Sequence, residues 1–228
     1  MKIQKSKAIS AFGGLNFVLE YLSTSGIGQL LDNNLPELAP QSKYSWSDVL
    51  YSLLSIYLCG GDCIEDLQTH LRSHFTDNPY LNMPSSDTML RRIGNLSEPA
   101  AECMTKRGAV VHTYSPNSAL GQLNIGVLKH LGVFKQKELI VDYDNTIIFN
   151  EKNDSKMTYK RAQGYQPGVC TINENQVLYI ENRNGNSDAK SFQRDTLSRL
   201  FHLLEANLDR KLTTSGPMPL PINMRLSN

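Results

Sequence analysis

Two carboxylates in one short segment, VDYDNT at residues 141–146, are the side chains best suited to chemistry. In an extended strand, residues two positions apart lie on the same face, so Asp142 and Asp144 are predicted neighbours. Adjacent carboxylates in an otherwise apolar strand repel each other unless a cation or a proton compensates. Mg²⁺ or Mn²⁺ suits this role, because Mg²⁺ binds one or two carboxylates together with substrate phosphate oxygens. The pair therefore predicts metal-dependent phosphoryl transfer; the alternative is two solvated acids where the strand leaves the core.

The same string matches the opening motif of the haloacid dehalogenase-like phosphatases, a hydrophobic strand followed by D-x-D-x-T, at Asp142, Asp144 and Thr146. The resemblance implies that Asp142 is the nucleophile and Asp144 the general acid and base. That family also requires a later Ser or Thr at a strand end, a Lys, and an acidic pair after another strand. The 82 residues after Thr146 contain no acidic doublet. The rest of a phosphatase site is therefore missing.

Five basic side chains have sequence contexts that suit contacts with DNA phosphates: Arg91, Arg92, Lys160, Arg161 and Arg183. The first two lie in a predicted short helix that follows another helix and a turn, the order of a helix-turn-helix. The next two, together with Lys156, are interleaved with Tyr159 and Tyr165, a pattern typical of nucleic-acid paths. The last lies in a predicted RNGN turn. For these residues the alternatives are a solvated helix face and a solvated hairpin.

Cys59, Cys63, His70 and His74 have the residue types of a zinc site. Their offsets spread them along about four helical turns. One tetrahedral ion cannot bind ligands so far apart unless the break at Gly60 and Gly61 folds them together. The spacing therefore disfavours zinc.

The composition is that of an ordinary globular protein: 23 Lys and Arg against 22 Asp and Glu, with 40% hydrophobic residues. This excludes disordered, collagen-like and coiled-coil chains. Four scattered cysteines are too few for a disulfide scaffold and favour a reducing compartment. The longest uncharged apolar-leaning run, residues 49–61, is too short for a membrane span. We therefore expect a cytoplasmic protein without a membrane anchor, and interpret the lysine-flanked N-terminus as a short helix.

The hydrophobic patterns predict an α+β fold. Up to about residue 134 the pattern is helical, including residues 100–112, and Ser45 with Asp48 predicts a helix N-terminus. From residue 135 the pattern changes to strands at 138–149, 167–172 and 176–182, followed by a helix over 191–208. The tail from residue 211 is proline-rich and is predicted to be irregular. The expected organisation is a helical domain at 1–134, an α/β domain at 135–210 and a tail at 211–228.

Six short strings in a fixed order carry a wider resemblance: AFGGLNFVLEYLSTSGIGQLLD, GGDCIEDLQTHLRS, SSDTMLRRI, DYDNT, GYQP and ENRNGNSDAKSFQ. From residue 9 to residue 201 the chain resembles the DDE transposases of bacterial insertion sequences, specifically the DDE group 1 family. The resemblance implies a helical DNA-binding region followed by a ribonuclease H-like domain, in which three acids bind two Mg²⁺ and drive DNA cleavage and strand transfer. The first acid of the triad corresponds to Asp144, with Asp142 as the fallback.

The chain departs from this family after residue 208. The family's second Asp follows an Arg on the next strand, and its Glu lies on a later helix; neither context is present. We therefore expect the front part of a transposase with an incomplete ribonuclease H-like domain, inactive alone. The implied partner is DNA at the ends of the insertion sequence, and the implied location is the bacterial nucleoid. The resemblance is also compatible with a homo-oligomer. The alternatives are a non-catalytic DNA-binding remnant or inhibitor, and the phosphatase.

Overall fold

The computed structural model describes residues 10–104, 111–136, 138–173, 175–187, 189–208, 211–215 and 222–227. The chain has an α+β fold and divides into two compact units, Met1–Ser97 and Glu98–Asn228. None of the described helices is both long enough and apolar enough to cross a bilayer.

The first unit is helical. Its helices are α1 (Leu15–Thr24), α2 (Ile27–Asn34), α3 (Trp46–Leu58), a π-helical turn (Leu67–Leu71) that continues into α4 (Arg72–Phe75), and α5 (Ser86–Gly94). The predicted start of α3 is confirmed: the Ser45 side chain accepts from the Asp48 backbone N–H, and the Asp48 carboxylate accepts from the Ser45 backbone N–H. Gly60, with a φ of 82°, follows the helix end.

The second unit contains ten described strands and two α-helices. In chain order these are β1 (Ala101–Met104), β2 (Val111–Ser115), α6 (Ser118–His130), β3 (Glu138–Asn145), β4 (Ile148–Phe149), β5 (Lys156–Met157), β6 (Gln163–Tyr165), β7 (Gly168–Ile172), β8 (Gln176–Arg183), α7 (Ala189–Asn207), β9 (Lys211–Ser215) and β10 (Ile222–Ser227). Seven strands form a sheet in the order β1-β2-β8-β7-β3-β10-β9, and the other three form a small sheet, β4-β6-β5. Each described strand pairing is antiparallel.

The core of this unit lies between one face of the large sheet and the two helices. Leu139 and Val141 of β3 are fully buried there, together with Leu197, Leu200 and Leu204 of α7. The period-2 pattern of β3 produces this arrangement, because alternate side chains point to opposite faces. The predicted strands at 167–172 and 176–182 and the helix at 191–208 correspond to β7, β8 and α7.

Two regions differ from the prediction. Residues 100–112, predicted helical, supply β1 and the start of β2, so the sheet begins well before residue 134. β2 pairs with β8, and this long-range ladder outweighs the weak local helical pattern. The tail, predicted irregular, contains β9 and β10, and β10 pairs with β3. The prolines at 217, 219 and 221 fall between these two strands in the sequence.

The small sheet packs against the loop that follows β8 at a position that only glycine allows. A Cβ atom on Gly185 would lie 2.3 Å from the Lys156 carbonyl oxygen and 2.5 Å from the Gly164 carbonyl oxygen. Both oxygens belong to the backbone, so neither can rotate away as a flexible side chain could. The close approach of β5 and β6 to this loop therefore depends on the missing side chain.

Replacing Gly185 with Ala should destabilise the second unit by about 1–3 kcal/mol, because the methyl group forces the two backbones apart. Gly94→Ala is the matched control: no atom lies within 4 Å of its added Cβ, and Ala favours the helix by up to about 1 kcal/mol. Urea unfolding followed by circular dichroism measures the change. The single tryptophan, Trp46, reports separately on the first unit by fluorescence. An unchanged circular dichroism midpoint for Gly185→Ala would contradict the packing argument.

Candidate functional site

Asp142 and Asp144 project from the sheet face opposite the two helices. They alternate along β3 with the buried Leu139 and Val141, and Asp142 is half-buried while Asp144 is exposed. β3 lies inside the sheet, between β7 and β10. The carboxylates are therefore held by a central strand but remain accessible to a ligand.

The two aspartates have few protein partners. Asp144 Oδ1 accepts a hydrogen bond from its neighbour's backbone, the Asn145 N–H, at 2.7 Å. Across the described ranges, the only group of three acidic, histidine or cysteine side chains with ligand atoms within 4.8 Å of one another lies elsewhere. The pair has the oxygen-donor chemistry that fits one Mg²⁺ or Mn²⁺ bound jointly with phosphate oxygens. A two-metal centre needs further carboxylates, which the described residues do not bring to β3.

Three of the sequence strings pack together at the end of β3. The Thr146 N–H donates to the Pro167 carbonyl oxygen at 3.2 Å, and the Gln166 N–H donates to the Arg183 carbonyl oxygen at 2.9 Å. Tyr165 also forms an isolated bridge with Asn184. DYDNT, GYQP and ENRNGN are thus parts of one structural corner next to the carboxylates.

On the helix side of the sheet, Glu181 is the centre of a buried polar cluster that the sequence did not reveal. Its carboxylate accepts from Arg199 through Nε at 2.6 Å and Nη2 at 2.8 Å, and from Arg183 Nε at 3.0 Å. The hydroxyls of Thr196, at 3.0 Å, and Tyr179, at 3.3 Å, also donate to it. Arg199 thus donates from two nitrogens to the two oxygens of one carboxylate, the bidentate geometry of strong arginine–carboxylate contacts.

The cluster connects the strands to α7. The Arg183 guanidinium carbon lies 5.8 Å from the ring centre of Tyr143 on β3 and 5.7 Å from that of Phe192 on α7. Distances below about 6 Å allow cation–π attraction on both sides. A Cβ on Gly168 would meet the Tyr143 hydroxyl at 2.8 Å, so this glycine leaves space for the stack. Arg183 thereby fixes the strand that carries both aspartates.

Electrostatics favour the charged form of Glu181. Burial alone would raise the pKa of its carboxyl group. The hydrogen bonds and positive charges of Arg199 and Arg183 outweigh burial and hold the pKa below its ordinary value. For Arg199 burial acts to lower the pKa, and the contacts with Glu181 reverse this, so its pKa lies above the ordinary value. The cluster is therefore ionised at neutral pH.

The structure corrects the predicted placement of Arg183. The prediction put it in an exposed turn facing DNA phosphate, but it belongs to β8 and is 2% exposed. Its guanidinium donates to Glu181 and to the Thr196 hydroxyl. Sequence reasoning missed this because the partners, Glu181 and Thr196, meet it only after β8 and α7 pack together. The single hint is the E-x-R spacing, which puts both side chains on one face of the strand.

Arg91 and Arg92 occupy different environments on α5. Arg91 is exposed, whereas Arg92 donates to the Ser42 hydroxyl and its guanidinium carbon lies 5.8 Å from the Trp46 ring centre. Ten residues separate α4 from α5, more than the three or four that a helix-turn-helix uses. Of the two arginines, only Arg91 is thus directed to solvent.

Lys160 and Arg161 lie in the exposed turn between β5 and β6. Arg161 has a φ of 61°, and the Lys160 ammonium lies 6.0 Å from the ring centre of Tyr159, which is 72% exposed. Phe149 on the neighbouring β4 is also exposed. The small sheet therefore presents free cations beside aromatic rings.

The ligand group found elsewhere consists of Asp62, Cys63 and Asp66. Asp66 Oδ2 accepts from the backbone N–H groups of Asp62 at 3.0 Å and Cys63 at 3.4 Å, so this carboxylate closes a turn. Of the four residues considered for zinc, Cys63 alone belongs to this group. His74 instead lies 3.3 Å from the Ser10 hydroxyl.

Comparison of the chain with protein-family models, with curated proteins and with solved structures finds no match.

Replacing Glu181 with Gln should destabilise the second unit by about 3–5 kcal/mol at neutral pH, because Arg183 stays buried without a counter-charge. Since the folded pKa is lowered, the carboxylate's contribution is complete above the unfolded pKa of about 4.3 and is lost as pH falls through the folded value. The stability gap between wild type and variant should therefore shrink in acid. Urea unfolding at several pH values tests this, with the exposed Glu102→Gln as control. A gap that widens in acid would contradict the assignment.

Proposed function

We propose that this chain is a DNA-binding protein related to the insertion-sequence DDE transposases, in which Asp144 and Asp142 form the first part of a metal site. The observation that carries the proposal is the position of both carboxylates on the open face of a central strand, next to the corner formed by DYDNT, GYQP and ENRNGN. Such a strand fits the place that the family resemblance assigns to the first acid.

The arrangement of the second unit supports a ribonuclease H-like domain as its fold. β3, β7 and β8 form an antiparallel meander, and α7 follows and packs on it. This is the order in which the resemblance requires the strand of the first acid, the intervening strands and the helix. The phosphatase alternative keeps its local D-x-D-x-T match, but ligand sites of open α/β sheets lie at the carboxyl ends of parallel strands. The neighbours of β3 are antiparallel.

DNA is the proposed partner because free cations and aromatic rings share exposed surfaces. Arg91 on α5 and the Lys160–Arg161 turn offer charges without protein counter-ions among the described residues, and Tyr159 and Phe149 offer rings for base stacking. Phosphate contacts supply most non-specific affinity, while stacking adds sequence-tolerant binding to single strands. The near-zero net charge requires that these contacts be local rather than spread over the molecule.

We expect the purified chain to bind DNA with an affinity that falls as salt rises. The Lys160→Ala, Arg161→Ala double variant should lower the salt slope by about 0.9 for each duplex phosphate contact removed. Arg91→Ala should lower it separately, whereas Arg92→Ala is unsuitable because Arg92 packs on Trp46. Fluorescence anisotropy across a salt series measures both effects.

The matched control is Arg194→Ala. Arg194 is exposed on α7, which covers the opposite face of the sheet from Asp144, so its loss should leave the slope unchanged. Absence of binding at low salt, or equal effects of all these variants, would refute the DNA proposal.

We expect the chain by itself to show no DNA nicking or joining and no phosphate-ester hydrolysis. Two-metal transfer requires carboxylates from separate elements holding ions about 4 Å apart, and the described residues offer one strand's pair. Both assays should be run with Mg²⁺ and with Mn²⁺. Nicking that Asp144→Ala abolishes would show a complete catalytic site, and p-nitrophenyl phosphate turnover that Asp142→Asn abolishes would establish the phosphatase instead.

A further inference from the structure

A polar cavity of about 340 Å³ lies where β2, the end of β8 and the small sheet meet. Residues with polar side chains from all three elements line it, among them Ser115, Asn182, Arg183, Asp154, Lys156 and Tyr165. The cavity is separate from the aspartate pair, and neither the carboxylates of β3 nor the buried cluster around Glu181 requires it.

Two residues of the cavity lining, Asn182 and Ser115, lie on the same sheet face as Asp142 and Asp144. Asp144 is in register with Val169, and Val169 with Ile180. Asn182 lies two residues beyond Ile180 on β8 and pairs with Ser115, so its side chain shares that face. Along β8 the exposed Ile180 and Asn182 alternate with the buried Glu181 and Arg183, which agrees with this assignment. Asp144 and Asn182 are separated by two strand spacings across the sheet and by two residues along β8. These offsets put their Cα atoms about 12 Å apart.

Three hydrogen-bond donors line the cavity without an acceptor. In the described part of the chain, the Lys156 ammonium, the Ser115 hydroxyl and the Asn182 amide make no hydrogen bond or ion pair with other side chains. The remaining polar groups are occupied: Asn184 donates to the Thr113 hydroxyl, and Tyr165 donates to Asp154 Oδ1 at 2.6 Å. That bond raises the pKa of Tyr165 to about 12, so the phenol keeps its proton. The free groups are donors, which suits an anion with several acceptor oxygens.

The position of Lys156 is set by the backbone rather than by its flexible side chain. Its carbonyl oxygen lies against Gly185, and Lys156 pairs with Gly164 in the small sheet. The backbone of Lys156 is therefore fixed at the cavity wall, and its exposed side chain extends from that point. Asp154 is the carboxylate of the lining; the hydrogen bond from Tyr165 lowers its pKa, and the positive charge of Lys152 acts in the same direction.

We propose that this cavity binds one phosphate group of a DNA strand that passes over Asp144, with Lys156, Ser115 and Asn182 as its donors. The inference rests on the proposed function and adds a contact point to it. A span of about 12 Å corresponds to three or four nucleotides of a B-form strand at about 3.4 Å each. One strand can thus occupy the cavity and reach the aspartate pair. Free phosphate has the same chemistry and is the second source to be distinguished.

The test is binding of labelled single-stranded and duplex DNA to the full chain across a salt series. Lys156→Ala should weaken binding about tenfold at low salt, the loss expected for one charge-assisted hydrogen bond, and lower the salt slope by about 0.7 on single strands. Asn182→Ala should weaken binding less, and Asp154→Asn should strengthen it because a like charge is removed. Arg194→Ala, which removes an exposed arginine on α7, should stay within twofold of wild type.

Free phosphate is distinguished from a DNA phosphate group by thermal unfolding. The midpoint in inorganic phosphate is compared with the midpoint in chloride at equal ionic strength. If wild type binds DNA and Lys156→Ala behaves like Arg194→Ala, the cavity proposal is overturned while the proposed function stands. If wild type binds no DNA, the proposed function fails. Stabilisation by inorganic phosphate that Lys156→Ala abolishes would then establish a free-phosphate site, and its absence would overturn the cavity as well. Weakening of DNA binding by Asp154→Asn would overturn the anion assignment in favour of a cation.

Discussion

The Glu181 carboxylate has no contact with water, and a buried charge of this kind persists only with full compensation. Arg199 and Arg183 supply the opposite charge, and Thr196 and Tyr179 complete the hydrogen bonds. These donors come from β8 and α7, so the compensation exists only when both elements are in place. The geometry of the second unit depends on this requirement, since Arg183 also stacks between Tyr143 on β3 and Phe192 on α7.

This cluster assigns different roles to the two faces of the sheet. The helix side holds the apolar core together with the Glu181 carboxylate and its donors. The other side carries Asp142 and Asp144 with free donors on neighbouring strands, and it has none of that compensation. Ion pairs that are buried in this way contribute little net stability, because desolvation offsets their attraction, yet removing one partner is costly. Loss of one partner therefore affects stability more than the pair itself contributes to it.

The parts of the structure that local patterns determine could be predicted from the sequence. The cap at Ser45, the alternation of β3 and the apolar stripe of α7 each depend on neighbours within a few residues. β1, β2, β9 and β10 could not be predicted, because ladders with distant strands create them. The contact of Arg183 with Glu181 is local, but those of Arg183 with Thr196 and of Glu181 with Arg199 are tertiary. Interpreting RNGN as a free turn therefore placed in solvent an arginine that is buried. The aspartate pair was found because strand periodicity alone puts both side chains on one face.

Binding and catalysis make unequal demands on this arrangement. Attraction between surface cations and DNA phosphates acts over the Debye length of about 8–10 Å and tolerates imprecise positions. Metal-assisted transfer instead needs its ligands held within about 0.5 Å of the productive geometry by rigid elements. The Glu181 cluster contacts β3 through Arg183 stacked on Tyr143, but holding one strand in place cannot replace ligands from a second element. Exposed cations such as Arg91 and Lys160 depend on neither the cluster nor the carboxylates. The proposed DNA binding therefore requires less of this arrangement than the chemistry does, for which the carboxylate pair alone is incomplete.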